Sequence, residues 1–145
     1  MISISFPAIL KPDVNGDGFV VNFPDLPEAL TDGRDLDDAL SEAADCLQEA
    51  LAGRLVRKED IPVPSKPKRG QHLVQVALYL APKLALYLAM RERGINNREL
   101  ARRLGSSETA VRQMLNPKRD TRPETLQAAL QALGKRVLVA VEDAA

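Results

Sequence analysis

The sequence predicts an α+β protein with two parts: an N-terminal β-sheet with one helix, and a C-terminal set of helices followed by a terminal strand. Residues 2–10 and 19–23 are short runs rich in branched and aromatic side chains, a composition typical of strands. From residue 81 onward, leucine and alanine recur at helical spacing. Acidic residues dominate the first half of the chain and basic residues the second. Together these observations define the fold class.

The charge distribution predicts two domains with different partners. The formal net charge is zero, but residues 1–60 hold 13 acidic and 5 basic residues, whereas residues 83–136 hold 12 basic and 5 acidic ones. An acidic surface repels nucleic acid and a basic surface attracts it. A chain of 145 residues is long enough for two small cores. We therefore expect one domain at 1–80 and a second at 81–145.

In the first domain, the turn-rich sequence KPDVNGDG joins the two strands and predicts a β-hairpin. Pro24 and Pro27 predict an ordered loop after the second strand, with a short third strand at 29–31. Asp35 then begins a helix. The apolar face expected to pack on the sheet contains Leu36, Leu40, Ala43, Leu47 and Leu51.

A proline- and lysine-rich segment at 60–72 is predicted to be extended and to close this domain. Residues 72–79 alternate weakly and are expected to add a last strand to the sheet.

Four stretches of this region resemble one known family. They are FPAIL at 6–10, FVVNFPDLP at 19–27, LDDAL at 36–40 and IPVPS at 61–65, and they are similar to the HicB antitoxin domain over residues 2–80. Glu28 and Ala29 stand where many relatives have glycine and cysteine. The resemblance implies a partial ribonuclease-H-like fold.

The resemblance also implies a partner, a HicA toxin, which is a small basic mRNA-cleaving ribonuclease with a double-stranded-RNA-binding-like fold. An anionic surface suits such a partner because it can take the place of RNA phosphates. We expect the hairpin loop and the segment after the second strand to bind the toxin. The candidate toxin-binding residues are Asp13, Asp17, Phe23, Asp25, Leu26, Glu28 and Asp32.

In the second domain, residues 96–115 predict two short helices around a tight turn. Asn96 and Ser107 are placed to cap the helices, with Glu99 completing a capping box at the first, and Gly105 is placed to end the first helix. The small Ala101 allows close approach, and Val111 lies on the inner face of the second helix. The spacing resembles the lambda-repressor-like (Xre) helix-turn-helix class, although Ser106 replaces a usually apolar residue. A further helix is predicted at 121–133.

In the lambda-repressor-like class the second helix enters the DNA major groove and reads base edges, while flanking residues bind phosphates. The resemblance therefore implies double-stranded operator DNA as a partner and gives two candidate sets. The base-reading candidates are Ser107, Glu108, Thr109, Arg112 and Gln113. The phosphate-binding candidates are Arg98, Asn116, Lys118, Arg119 and Arg122.

Residues 136–142 (RVLVAVE) predict a terminal strand with no partner in a helical domain. Because unpaired strands associate readily, we expect it to pair with the same strand of another chain. This predicts a homodimer or a higher homo-oligomer formed through the C-terminal domain.

The sequence predicts no enzyme activity, no catalytic residue, no metal site and no cofactor. The loop carboxylates, such as Asp13 and Asp25, are the only candidates for a magnesium site, and they are explained by turn chemistry. A nuclease would cleave RNA in a metal-dependent way and would be inactivated by Asp13→Ala or Asp25→Ala. His72 has no ligand set for zinc, and Cys46 is expected to be a buried small residue.

The expected location is the cytoplasm, with no membrane association. A single cysteine suits a reducing compartment, and no secretion leader opens the chain. The apolar stretch at 73–90 is interrupted by Gln75, Pro82 and Lys83, so it does not resemble a bilayer span. The predicted function is an antitoxin of a type II toxin-antitoxin system that represses its own operon. The alternative is a stand-alone transcriptional repressor whose N-terminal domain senses a small molecule.

Overall fold

The computed structural model describes residues 4–144. The chain divides into two compact units between Ala81 and Pro82. The first unit is mixed α and β, whereas the helices of the second unit are its only regular elements within the described residues. Among those residues, no helix combines the length and apolarity that a bilayer crossing requires. The α+β class predicted from the sequence is confirmed.

The first unit is built on an antiparallel sheet with the strand order β3-β2-β1-β4. Strand β1 (Ser5–Pro12) and strand β2 (Phe19–Phe23) form the predicted hairpin around the turn-rich loop. Strand β4 (His72–Gln75) pairs with the outer side of β1, as expected from its alternation. The predicted start of β1 at residues 2 and 3 lies outside the described residues.

Strand β3 (Leu26–Gly33) is longer than the three-residue strand predicted from the sequence. The prediction excluded Pro27 from a regular central strand and placed it in an ordered loop, but β3 is an edge strand, where a missing backbone N–H breaks no ladder. A register shift at Asn22 and Phe23 accommodates the tight connection from β2. The loop predicted around Pro27 is therefore wrong, because the strand position in the sheet decided the outcome.

Helix α1 (Leu36–Val56) covers the sheet, packing mainly on β3. The Asp35 carboxylate accepts a hydrogen bond from the Asp38 N–H at 2.8 Å, which confirms the predicted cap. The buried face differs slightly from the predicted one, because Leu36 is 42% exposed. The face that packs on the sheet consists of Ala39, Ala43, Leu47, Leu51 and Leu55.

The segment after α1 is tied to the sheet by two polar contacts. Arg54 forms a bidentate pair with Glu28 of β3, at 2.6 and 2.9 Å, and donates to the Asp60 carbonyl at 2.8 Å. Asp25 accepts hydrogen bonds from the backbone and hydroxyl of Ser65. These contacts fix a proline-rich segment that forms no ladder of its own.

The pair between Glu28 and Arg54 predicts a pH-dependent contribution to stability. Hydrogen bonding to Arg54 lowers the pKa of Glu28 to about 2 from 4.5. Because the folded-state pKa is depressed, the contribution is complete above pH 4.5 and is lost as the pH falls toward 2. Glu28 is 36% exposed, so solvent screening keeps the effect of Glu28→Gln on the order of 1 kcal/mol at pH 7.

Urea unfolding of wild type and Glu28→Gln at several pH values measures this contribution. The difference in the free energy of unfolding between wild type and Glu28→Gln should shrink steadily below pH 4.5. Glu59→Gln is the matched control: Glu59 pairs with Arg57 at the surface, where solvent screens the pair, so a smaller loss of stability than for Glu28→Gln is expected. A difference for Glu28→Gln that stays constant with pH contradicts the assignment.

The second unit contains four helices within the described residues: α2 (Ala81–Arg93), α3 (Asn97–Leu104), α4 (Glu108–Leu115) and α5 (Pro123–Ala132). Helix α5 begins two residues later than predicted because Pro123 occupies its first turn, where no backbone N–H is needed. The common core of the helices contains Leu86, Ala89, Met90, Leu100, Ala101, Val111, Met114, Leu126, Ala129, Leu130 and Leu133.

Residues 135–144 form no strand in the structure, so the predicted terminal strand is absent from the single chain. A strand is stabilised by the backbone hydrogen bonds of its neighbour, and the helices around it offer no sheet edge. The apolar side chains of the segment are exposed, with Val139 at 81% and Val141 at 94%.

Candidate nucleic-acid interface and acidic surface

Helices α3 and α4 are joined by a turn that the sequence specifies residue by residue. The Asn96 side-chain oxygen (Oδ1) accepts a hydrogen bond from the Glu99 backbone N–H at 2.9 Å, and the Ser107 hydroxyl accepts one from the Ala110 backbone N–H at 3.1 Å. Gly105 adopts the left-handed conformation with φ of 62°, and the next N–H, of Ser106, bonds to the Ala101 carbonyl at 2.9 Å. This geometry is a helix-turn-helix closed by a Schellman-type cap.

The two helices are held together by a small, fully apolar contact region. Ala101 is 5% exposed and Val111 is not exposed, so a small side chain on α3 lets α4 approach closely. Leu100 and Met114 extend the contact into the core of the unit. The packing leaves the outer face of α4 free for a ligand.

The outer face of α4 carries the five predicted base-reading residues, and all five side chains are exposed. Arg112 donates a hydrogen bond to the Thr109 hydroxyl at 3.0 Å, which orients its guanidinium along the helix. Ser107 already serves as the N-cap, so its hydroxyl has a structural role as well. Arginine, glutamine and glutamate can each pair with a particular base edge in the major groove.

The five predicted phosphate-binding residues are also exposed. Arg98 lies in the first turn of α3, and the other four lie in the loop between α4 and α5. In this loop the Asn116 side chain accepts from the Lys118 N–H at 3.0 Å, and the Asn116 carbonyl accepts from the Arg119 N–H at 3.1 Å. The loop therefore presents basic side chains from an ordered backbone.

Two further arginines of α3 share one carboxylate within the helix, so their combined charge is reduced but not cancelled. The Glu99 carboxylate accepts from Arg102 at 2.6 and 3.0 Å and from Arg103 at 3.0 Å. These hydrogen bonds lower the pKa of Glu99 to about 2. The capping box predicted from the sequence is thus only half formed, because the Glu99 carboxylate is directed at the arginines.

Sequence reasoning missed one residue beneath this surface, Lys83 of α2. Its side chain is 1% exposed and contacts the loop between α4 and α5. The only signal in the sequence is a lysine inside an otherwise apolar helical stretch, and that pattern is equally typical of a solvated charge.

The first unit carries an open acidic groove at one end of the sheet. Gly18 and Gly33 allow the hairpin loop, β3 and the start of α1 to approach closely. A Cβ added to Gly18 would lie 2.2 Å from the Gly33 carbonyl oxygen, and a Cβ added to Gly33 would lie 2.3 Å from the Ala39 backbone nitrogen. Asp17, next to Gly18, is exposed. The groove is lined by Asp13, Gly18, Phe19, Asp32, Gly33, Arg34, Asp38 and Glu42.

The predicted toxin-binding residues separate into three groups. Phe23 and Leu26 are buried in the core at 1% and 0% exposure, so they shape the loop from inside and are excluded as contact residues. Asp25 and Glu28 are engaged with Ser65 and Arg54. Asp13 and Asp32 line the groove, and Asp17 is exposed in the hairpin loop next to Gly18. We call these three residues with the exposed Val14 the acidic loop surface.

The remaining reactive side chains of the described residues were predicted to form neither a metal site nor a nucleophile. Among residues 4–144, no three histidine, cysteine or acidic side chains are grouped as a metal ion requires. Cys46 donates to the Leu30 carbonyl at 3.6 Å, and burial raises the pKa of its thiol. A raised pKa disfavours the nucleophilic thiolate.

Comparison with known sequences matches both units. Residues 5–85 match a family described as HicB-like antitoxin of bacterial toxin-antitoxin systems, and residues 86–138 match a helix-turn-helix family. The chain is 35% identical to Antitoxin HicB of Escherichia coli K12 over 132 residues, which covers 91% of this chain and 95% of the relative.

The chain belongs to the HicB antitoxin family. Antitoxin HicB 2 of Photorhabdus laumondii is 37% identical over 125 residues, covering 86% of this chain and 88% of the relative. Antitoxin HicB of Pseudomonas fluorescens is 30% identical over 121 residues, covering 83% of each protein. The resemblances to HicB and to a helix-turn-helix class are confirmed, and the chain is a HicB antitoxin relative with a DNA-binding domain.

Proposed function

We propose that this HicB family member is a cytoplasmic type II antitoxin that binds and inhibits a HicA-type mRNA-cleaving toxin and represses its own operon. The observation that carries the proposal is the separation of surfaces. Carboxylates line the groove of the first unit, while the second unit presents ten exposed candidate residues on and beside α4. The family membership and the helix-turn-helix geometry support the same division.

The acidic loop surface is the proposed contact for the toxin. A basic ribonuclease must attract RNA phosphates, so a group of carboxylates competes for the same cationic site and accelerates encounter. Asp17 and Asp32 are exposed on this surface. Val14, 95% exposed at the tip of the hairpin loop, supplies apolar area that charge alone does not.

The toxin assignment is tested by charge reversal. Asp17→Lys combined with Asp32→Lys is expected to reduce affinity for a HicA-type toxin by at least tenfold, mainly through slower association. Stopped-flow binding and inhibition of mRNA cleavage measure the effect. Glu49→Lys on the exposed side of α1 is the control and should change affinity little. An equal loss of toxin affinity in the double variant and in the Glu49→Lys control would contradict the proposed contact surface.

On the DNA side, α4 is proposed to lie in the major groove with Arg112 and Gln113 at base edges. The loop between α4 and α5 then lies against the phosphate backbone, where Lys118 and Arg119 neutralise charge without reading sequence. A twofold dimer requires two half-sites separated by about one helical turn, roughly 34–36 Å, or a multiple of it.

The exposed C-terminal segment is proposed to form that dimer. Val137, Val139 and Val141 share one face of an extended chain, and pairing with the same segment of a second copy would cover this face and satisfy the backbone hydrogen bonds.

Replacing both Val139 and Val141 by lysine is expected to shift the protein toward smaller species, because like charges face each other across the new pair. Analytical ultracentrifugation measures the oligomeric state of the variant and of the wild type. The control is Leu36→Lys, which changes an exposed leucine of α1. An unchanged oligomer in the valine variant excludes the segment as the interface.

The groove geometry bears on the alternative of a repressor that senses a small molecule. Small-molecule sites are enclosed and mainly apolar, whereas this groove is open and its charged lining consists of four carboxylates and Arg34, which pairs with Asp38. These features favour a protein partner.

A further inference from the structure

Lys83 is a buried charge that the proposed functions leave unexplained. Its side chain is 1% exposed, although a buried ammonium is unfavourable unless all its donors are satisfied. Burial lowers the pKa of Lys83, and the nearby negative charge of Asp120 opposes that shift. A lysine retained at such a position calls for a specific role.

All three donors of the ammonium are used, and all three acceptors belong to one loop. The Lys83 Nζ donates to the Asn116 carbonyl at 2.8 Å, to the Arg119 carbonyl at 2.8 Å and to the Thr121 hydroxyl at 2.9 Å. An ammonium has three N–H groups, so the match is complete. The chain from Asn116 to Thr121 is therefore wrapped around one buried charge.

This loop connects α4 to α5 and carries four of the five proposed phosphate-binding residues. Its backbone carbonyls point inward to Lys83, while the side chains of Lys118 and Arg119 are exposed. Packing of α2, α4 and α5 in one core sets where the loop begins and ends, and internal bonds from the Lys118 and Arg119 N–H groups to Asn116 tighten the turn. Lys83 adds the direct hydrogen bonds that join the middle of the loop to α2.

We propose that Lys83 is a positioning residue for DNA binding, which holds the loop between α4 and α5 so that several of its basic groups reach phosphates together. The inference rests on the proposed binding of DNA by this unit. Lys83 itself is buried and contacts no phosphate. Its loss therefore acts through Lys118, Arg119 and Arg122.

The salt dependence of binding separates this role from a merely structural one. Each phosphate contact contributes a slope of roughly −0.9 to a plot of log affinity against log salt. Lys83→Met should reduce the magnitude of the slope by about 2 per module, because two or more contacts are lost together. Lys118→Ala, which removes one contact directly, should reduce it by only about 0.9 per module.

Fluorescence anisotropy with operator DNA, at several salt concentrations and below the melting temperature, gives the slopes. A Lys83→Met protein that binds more weakly with an unchanged slope overturns the proposal, since simple destabilisation lowers the active fraction at every salt concentration alike.

If Lys83→Met does not fold, Thr121→Val is the second variant, because it removes a single acceptor of the Lys83 ammonium. It should reduce the magnitude of the slope by at least about 0.9 per module, the value for one phosphate contact. An unchanged slope for Thr121→Val then overturns the proposal. A wild-type protein without salt-dependent binding would instead refute the DNA-binding function itself.

Discussion

Raising the salt concentration from 50 to 200 mM is expected to weaken operator binding by about 10³–10⁵-fold, as for a dimer that neutralises about 6–10 phosphates. The physical reason is the release of counterions when Arg98, Lys118, Arg119 and Arg122 approach the DNA backbone. All four side chains are exposed in the structure. Binding that barely changes over this range would remove the DNA-binding assignment.

Two substitutions separate phosphate binding from sequence reading. Lys118→Ala should weaken binding to all sequences alike. Arg112→Ala should weaken binding to the operator by about 1–3 kcal/mol and relax specificity at one base pair, because its guanidinium can form a bidentate pair with guanine. Anisotropy on the operator and on a scrambled duplex measures both effects. Equal effects of both variants on every sequence would take Arg112 out of the base-reading set.

Leu100→Ala is expected to destabilise the second unit by about 2–5 kcal/mol. Leu100 is fully buried on α3, in a core cluster of eleven buried residues drawn from α2, α3 and α4 and from α5 and its C-terminal end. The lost side chain leaves a cavity beneath the helix-turn-helix, so DNA binding should disappear at a lower temperature than in the wild type. Thermal unfolding followed by circular dichroism and by operator binding measures the loss.

Leu78→Ala is the matched control for this prediction. The chemical change is the same, but Leu78 is 82% exposed, and a change within about 0.5 kcal/mol is expected. Hydrogen exchange locates the effect of Leu100→Ala, since faster exchange should concentrate in α2 to α5. Comparable destabilisation by both variants would contradict the packing described for α3.

Local sequence signals were sufficient where a residue acts on its own backbone. Asp35, Asn96 and Ser107 cap helices as predicted, and Gly105 ends α3 in the left-handed conformation. Capping depends on a side chain and an N–H two or three residues away, so no distant partner enters the argument. The hairpin and the helix-turn-helix followed from such signals.

Predictions failed where the outcome depended on a neighbour distant in sequence. Pro27 lies within a strand because β3 is at the sheet edge. Phe23 and Leu26 were predicted as contact residues, but packing places both in the core. Polarity and position along the chain do not reveal which side of a loop faces inward.

By itself, the sequence determined the α+β class, the HicB and helix-turn-helix resemblances, and the opposite charges of the two halves. Only the tertiary structure decided which charges are available to a partner. Glu28, Glu99 and Lys83 are engaged by groups of their own unit, whereas Asp32, Arg112 and Lys118 are exposed. The reason is physical: a charge is available for binding only if folding leaves it hydrated, and hydration depends on the whole packed unit.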